Sequence, residues 1–338
     1  KVTLIEAGEI GRGCSWDAAG MLAPVNELEF QELPLLRAGV AARRMYDQVE
    51  EELGNIGLAR AGTLEVGLRA DDEGYLQRQY EFQKTQSLSV AWKSGRELRE
   101  IEPFLSHRVP AGIWSAEDIQ VDNRKLVLAL KQALQRAEVV LIELTEVTGV
   151  EALAEDLVRV SSATGEWQAN AVVLAPGTGK IPGYELPYRI YPVRGEMISL
   201  RIPPFPFLTK TIRIRNKVLG NAYIVPKSDR IICGSTAEEQ GFVRENTAGG
   251  LLDILRKCYA AVPGIYELEV LETWAGLRPS TLSRLPIVDR EPNRPVYHLN
   301  GLYRHGILLS PLLGAAMAHL ITTGNSLPET APFRLKNH

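Results

Sequence analysis

The chain has 338 residues, 45% of them hydrophobic and 23% charged, with a formal net charge of −3. That length suffices for two domains, and the slight acidic balance argues against nucleic acid as a partner. No apolar run approaches the ~20 residues of a membrane span. The three cysteines, Cys14, Cys233 and Cys258, lie far apart, and neither they nor the scattered histidines show disulfide or metal-site spacing. With no signal-peptide pattern, a cytoplasmic setting is the default expectation.

In chain order, Val2–Glu6 reads as a short strand ending in an acid. In a nucleotide-binding βαβ unit the second strand ends in an Asp or Glu that accepts the ribose hydroxyls, and Glu6 fits that role. An edge strand with a surface glutamate reads equally simply. The nucleotide reading expects a glycine fingerprint roughly 20 residues upstream. The sequence begins at Lys1, so a strand, glycine loop and helix are expected to precede it. Residues 15–24, SWDAAGMLAP, are dense in small side chains, which allow either tight loop packing or close backbone approach to a flat ligand.

Apolar positions at helical spacing predict an amphipathic helix over 35–53, and alternation predicts a strand over 62–68. Asp71–Ser87 is polar and helix-compatible, and Gly112–Ser115 reads as a strand. Asp122 or Asn123 caps a helix over 124–137. Short strands follow at 139–144 and 145–151, the second carrying Val147, and then a hairpin across Thr164-Gly165. Ala171–Gly177 is a continuous apolar run ending in glycine, as a buried parallel strand reads, and the carboxyl end of such a strand is where α/β sheets bind ligands. From Tyr191 the pattern turns to strands at 192–200, 217–225 (carrying Tyr223) and 230–235, then a helix over 249–262. α/β material at both ends therefore flanks β-rich insertions, and two domains built from discontinuous segments are expected.

The stretch Trp274–Pro311 holds two arginines beside glycines in an apolar context, Arg278 and Arg304. Gly276–Pro279 reads as a strand end entering a turn, because Pro279 removes a donor. An apolar helix-like run covers 311–321, and Gly306 lies just before a helix N-terminus, where free N–H groups favour an anion or an electron-rich carbonyl. A guanidinium is suited to grip a carboxylate through two parallel hydrogen bonds. Two surface arginines near turns are the plainer alternative.

Together these residues resemble the D-amino-acid-oxidase-like flavoprotein family, in its glycine oxidase branch. The matching segments are VTLIEAG at 2–8, SWDAAGMLAP at 15–24, VVLAPG at 172–177, YPVRGEM at 191–197, YIVPK at 223–227, GST at 234–236, WAGLRP at 274–279 and RHGILLSP at 304–311. Their order follows the family over nearly the whole chain. The resemblance implies an α/β (α+β) fold. Its Rossmann-like FAD-binding domain would comprise 1–60, 120–180 and 275–330, and a mainly antiparallel-sheet substrate domain 61–119 and 181–274.

The resemblance further implies noncovalent FAD, with Glu6 on the adenosine ribose and Ala19, Gly20 and Met21 along the flavin. Val147 would contact the adenine end through its backbone, and Ala175 and Gly177 would close over the cofactor. Arg278 would hold the substrate carboxylate with help from the Tyr223 phenol, and Arg304 would lie at the edge of the site. His305, Gly306, Ile307 and Leu308 would meet the flavin, the last three presenting backbone N–H groups to its C2 carbonyl. His305 also reads as a structural turn histidine or, less simply, a general base. Ala237 and Leu302 replace a methionine and a histidine common in that branch, which implies a pocket wider than one built for glycine. The implied reaction is oxidation of a small amino acid or amine by O2, giving the imine, hydrogen peroxide and, in thiamine biosynthesis, a thiazole precursor. Homo-oligomerisation is compatible with this reading. Two others stand beside it: a D-amino-acid dehydrogenase passing electrons to quinone, and a flavin-free scaffold subunit of a larger oxidoreductase.

Overall fold

The structure, a computed structural model, describes residues 1–337 with Leu28, Gln31 and Leu219 excepted. Its largest element is an eight-stranded mixed sheet. The strand order runs Val270–Ser280, Tyr191–Arg201, Arg230–Gly234, Ala222–Pro226, Thr211–Arg215, Thr63–Gly67, Ala111–Ser115, Ala91–Ser94. Every neighbouring pair is antiparallel except Thr211–Arg215 beside Thr63–Gly67.

The rest of the chain supplies parallel pairs. Thr3–Ile5 lies parallel to Val140–Ile142, and Val172–Leu174 lies parallel to Val296–Asn300. Helices Leu33–Leu53 and Gly306–Thr323 pack together, burying Leu36, Tyr46, Leu309 and Leu313 in one core. By length and composition Gly306–Thr323 could cross a membrane. Here its leucines build that shared core, which explains an apolar sequence in a folded domain.

Four sequence expectations change in the structure. The helix expected from Pro311 begins at Gly306, with Pro311 inside it. Proline leaves the carbonyl four residues back without its N–H partner. That carbonyl, of Ile307, instead accepts the Tyr46 hydroxyl and Ser310 Oγ at 3.0 Å, so the helix continues. Pro279 does not end its strand either: Val270–Ser280 runs on through it. It is an edge strand, where a missing donor costs little. Ala275–Ser280, expected with the FAD-binding segments, therefore pairs into the eight-stranded sheet. The strand expected over 217–225 is shortened to Ala222–Pro226, and an unexpected strand, Thr211–Arg215, precedes it; Leu219 lies outside the described residues.

The sheet separates two environments because successive side chains point to opposite faces. At one level across it, Thr273, Ile198, Cys233, Ile224, Ile212 and Leu64 are successive neighbours. That face is apolar and covered by helix Ala248–Ala261 through Ile254, Cys258 and Ala261. One level on, Trp274, Met197, Gly234, Tyr223, Arg213 and Glu65 are neighbours. This second face meets Ala19 and Met21 from the other part of the chain.

Candidate active site

On that second face the polar groups converge. Arg278 is half-buried, and its guanidinium lies directly over Gly195 of the neighbouring strand. An ideal Cβ on Gly195 would fall 2.1 Å from Nη2, so only glycine leaves the guanidinium its place. Nη2 donates to Ser235 Oγ at 2.7 Å, and Nη1 donates to the carbonyls of Thr236 at 3.2 Å and Arg194 at 3.5 Å. All three acceptors are neutral, so the positive charge remains available to an anion. Tyr223 sits on the same face, and its hydroxyl donates to Met197 Sδ at 3.0 Å. Burial pushes the Tyr223 phenol pKa up, while the nearby Arg278 charge pulls it down.

Arg304 differs from Arg278. It is paired with the Glu32 carboxylate at 2.5 Å and donates to the Glu27 carbonyl at 3.2 Å. Beside it stands a group that sequence reasoning missed. Glu27, only 5% exposed, accepts Arg213 Nη1 at 2.8 Å. His305 Nδ1 lies 3.9 Å from the other Glu27 oxygen. Burial and the charges of Arg304 and Arg213 hold His305 well below the usual histidine range. The ring is therefore neutral at pH 7, and the 3.9 Å approach is not an ion pair. The signal for Glu27 in the sequence was one acid just beyond the small-residue segment; the signal for Arg213 was alternation in TIRIR. Neither shows a partner until the strands are placed.

Most of the other predicted residues follow parallel strands, whereas Ala19, Gly20 and Met21 lie at the start of Met21–Leu22, antiparallel to Ile119–Gln120. Glu6 follows Thr3–Ile5, and its carboxylate accepts the Gly8 N–H at 2.9 Å. Val147 follows Val140–Ile142 and opens the next strand. Ala175, exposed, and Gly177 follow Val172–Leu174; the Gly177 carbonyl accepts Asn300 Nδ2 at 3.1 Å. Gly306, Ile307 and Leu308 form the first turn of the helix after Val296–Asn300, where N–H groups lack helical partners. His305 occupies the N-cap position without a side-chain cap, and its buried Nε2 has no partner among the described residues. Ala19 is buried, and Gly20 takes φ +71° with its carbonyl accepting the Val121 N–H at 2.8 Å. Met21 pairs with Gln120.

This combination suits a dinucleotide whose flat ring lies between the two layers. Ribose would be met by an acid at a strand end, and electron-rich ring atoms by an uncapped helix N-terminus and an orphaned imidazole nitrogen. The fold and site thus define a flavin-type oxidoreductase. Residues 1–320 match the family described as FAD dependent oxidoreductase, of the DAO type, and the chain belongs to that family. FAD is its cofactor.

The chain is 33% identical to the glycine oxidase of Geobacillus kaustophilus (strain HTA426), over 100% of this chain and 91% of that one. It is 31% identical to the bifunctional protein ThiO/ThiG of Synechocystis sp. (strain ATCC 27184 / PCC 6803 / Kazusa), covering 93% of this chain and 46% of that protein. The crystal structure of glycine oxidase from Geobacillus kaustophilus superposes with a TM-score of 0.91 at 32% identity, covering 100% of this chain and 92% of that one.

Proposed function

We propose that the protein oxidises glycine or a slightly larger α-amino acid to its imine, with O2 reduced to hydrogen peroxide. The imine then hydrolyses to the 2-oxo acid and ammonia. The carrying observation is the Arg278 guanidinium, held over Gly195 by neutral oxygens only and needing an anion. The names of the glycine oxidase relatives support the reaction class. Bound FAD supplies the two-electron acceptor. In this reading Glu6, Val147, Ala175 and Gly177 hold its adenosine end, while Ala19, Gly20, Met21 and residues 304–308 meet the flavin. The domain division given above, with 275–280 moved to the substrate sheet, is part of the same proposal, with the FAD and substrate parts meeting at Ala19–Met21.

The chain's part in the chemistry is positioning. Arg278 takes the carboxylate through two N–H groups, and the Tyr223 hydroxyl turns from Met197 to donate a third hydrogen bond. That fixes the α-carbon over the second sheet face. The first turn of Gly306–Thr323 would present its positive end to the cofactor, where it would favour the negative charge of the reduced flavin. His305 is neutral but lies beyond hydrogen-bond reach of Glu27, so the amine is taken to enter deprotonated rather than through a relay. On the family resemblance, Ala237 and Leu302 stand where a methionine and a histidine are common, which favours a side chain larger than hydrogen.

Oxygen uptake with equimolar peroxide is expected when the holoenzyme receives glycine, sarcosine or D-alanine, and not with ethylamine, which lacks a carboxylate. Turnover with a quinone dye but no oxygen consumption would replace the oxidase reading by a dehydrogenase. Gly195→Ala is expected to lower kcat/KM by about a hundredfold, mainly through KM, because displacing the guanidinium by ~1 Å misaligns the substrate. The flavin spectrum should be unchanged. A kcat/KM within a few-fold of wild type would show that Arg278 does not hold the carboxylate from this position.

A further inference from the structure

Lys227 is buried at the end of strand Ala222–Pro226, and it is not used by the reaction described so far. Its Nζ donates to Gln120 Oε1 and to the Val121 carbonyl, each at 2.7 Å. In return Gln120 Nε2 donates to the Pro226 carbonyl at 2.5 Å. Gln120 is the strand partner of Met21, and Val121 N–H bonds to the Gly20 carbonyl. An ideal Cβ on Gly20 would fall 3.2 Å from Lys227 Nζ and 2.1 Å from the Val121 carbonyl oxygen. The lysine thus presses against the turn from which Met21 leaves and ties it to the substrate-side sheet.

Its two recorded acceptors are neutral. A buried ammonium with neutral acceptors is costly, and an apolar side chain of similar length would serve stability better. A residue that costs stability in this way is expected to contribute elsewhere, commonly at a functional site. In the assignment proposed above that turn meets the flavin, so a positive charge at this position would act on an electron-rich ring.

We propose that Lys227 is a positioning residue for the cofactor, fixing the Gly20–Met21 turn and lending it positive charge. The inference rests on the assignment of Gly20 and Met21 to the flavin. Burial lowers the Lys227 pKa to about 7, opposed by Asp122 and Asp229 and reinforced by Arg230. The charge therefore falls away between pH 6 and 9, and FAD should bind more weakly as it does. Because the folded pKa lies below the unfolded one, the cost to stability is full below about pH 7 and fades as pH rises toward the ordinary lysine value. Asp118, which receives the backbone of Val25 and Asn26, is pushed up by burial to about 7 and titrates in the same window.

The test compares wild type, Lys227→Met, Lys227→Arg and Gly20→Ala, each measured for FAD dissociation constant from pH 6 to 9 and for apoprotein Tm at pH 6. Lys227→Met should weaken FAD binding at pH 6 by about tenfold, the size of one charge-assisted hydrogen bond, and flatten the pH profile. Its apoprotein Tm should rise. Lys227→Arg should restore tight binding at every pH. Unchanged affinity in Lys227→Met, a pH profile that survives it and so belongs to Asp118, or an apoprotein Tm that falls together with affinity would each overturn the proposal. Gly20→Ala separates the two layers of inference. If it binds FAD normally, the assignment of the turn to the flavin fails; if it loses FAD while Lys227→Met does not, only the role of Lys227 fails.

Discussion

Replacing Arg278 with alanine is expected to lower kcat/KM for amino acids by about two to four decades while the flavin stays bound with a near-normal spectrum. The expectation follows from what the guanidinium touches. Its acceptors are Ser235 Oγ and two carbonyls, and Gly195 leaves the space beside it open to the ion alone. Losing a charge-assisted, two-pronged grip on a carboxylate costs about 3–5 kcal/mol where the partner is left desolvated, and each 1.4 kcal/mol is tenfold. Arg278→Lys should rescue little, since an ammonium cannot present two parallel donors. Amines without a carboxylate should lose little further in the variant. Steady-state kinetics over both substrate sets decide the matter. A KM within a few-fold of wild type in Arg278→Ala would mean that the carboxylate is held elsewhere.

The second large effect is expected on stability. Burial pushes the Glu27 carboxyl up and the Arg213 guanidinium down, both toward neutrality. Their 2.8 Å contact offsets this, with the Arg213 side chain 11% exposed and Glu27 5% exposed. Glu27→Ala strands a buried guanidinium, and such half-broken pairs cost about 3–5 kcal/mol. Urea unfolding of the apoprotein should show that loss. The double replacement Glu27→Leu with Arg213→Leu should recover most of it, because no charge then remains to be solvated. Single changes that simply add, with no recovery in the double variant, would show that the pair is not coupled.

Much of the architecture could be read before the strands were placed. Helices near 35–53, 124–137 and 249–262 were read from the sequence, the first two by apolar periodicity, and the cap expected for the second is present: Asp122 accepts the Arg124 and Lys125 N–H groups. The run at 171–177 became a parallel strand beside Val296–Asn300. Local pattern failed where a partner distant in sequence supplies the missing interaction. Pro311 suggested a helix start because nothing nearby shows that the Tyr46 hydroxyl completes the Ile307 carbonyl. Thr211–Arg215 drew no reading at all, and its arginines find their meaning only in Glu27 and Glu65, which they meet inside the protein. The site was legible in the same measure. Arg278, Arg304, Glu6 and Gly306 stood out as candidates by residue type beside glycine or a strand or helix terminus, whereas Tyr223, Val147, Ala175 and Gly177 took their roles only through the family resemblance. Glu27 and Lys227 did not stand out, since their meaning lies entirely in contacts made across the two layers.

The alternation of the eight-stranded sheet has a consequence for anyone wishing to redesign the protein. Along Met197-Ile198, Ile212-Arg213 and Tyr223-Ile224, adjacent positions belong to different problems. Ile198, Ile212 and Ile224 are anchored under helix Ala248–Ala261, whereas Met197 and Tyr223 look toward Ala19 and Met21 and Arg213 meets Glu27. Libraries that randomise every second residue, with the Arg213–Glu27 pair held fixed, could therefore explore new chemistry without touching the foundation. Libraries that randomise contiguous blocks would lose most members to collapse of the far face before any of them met a substrate.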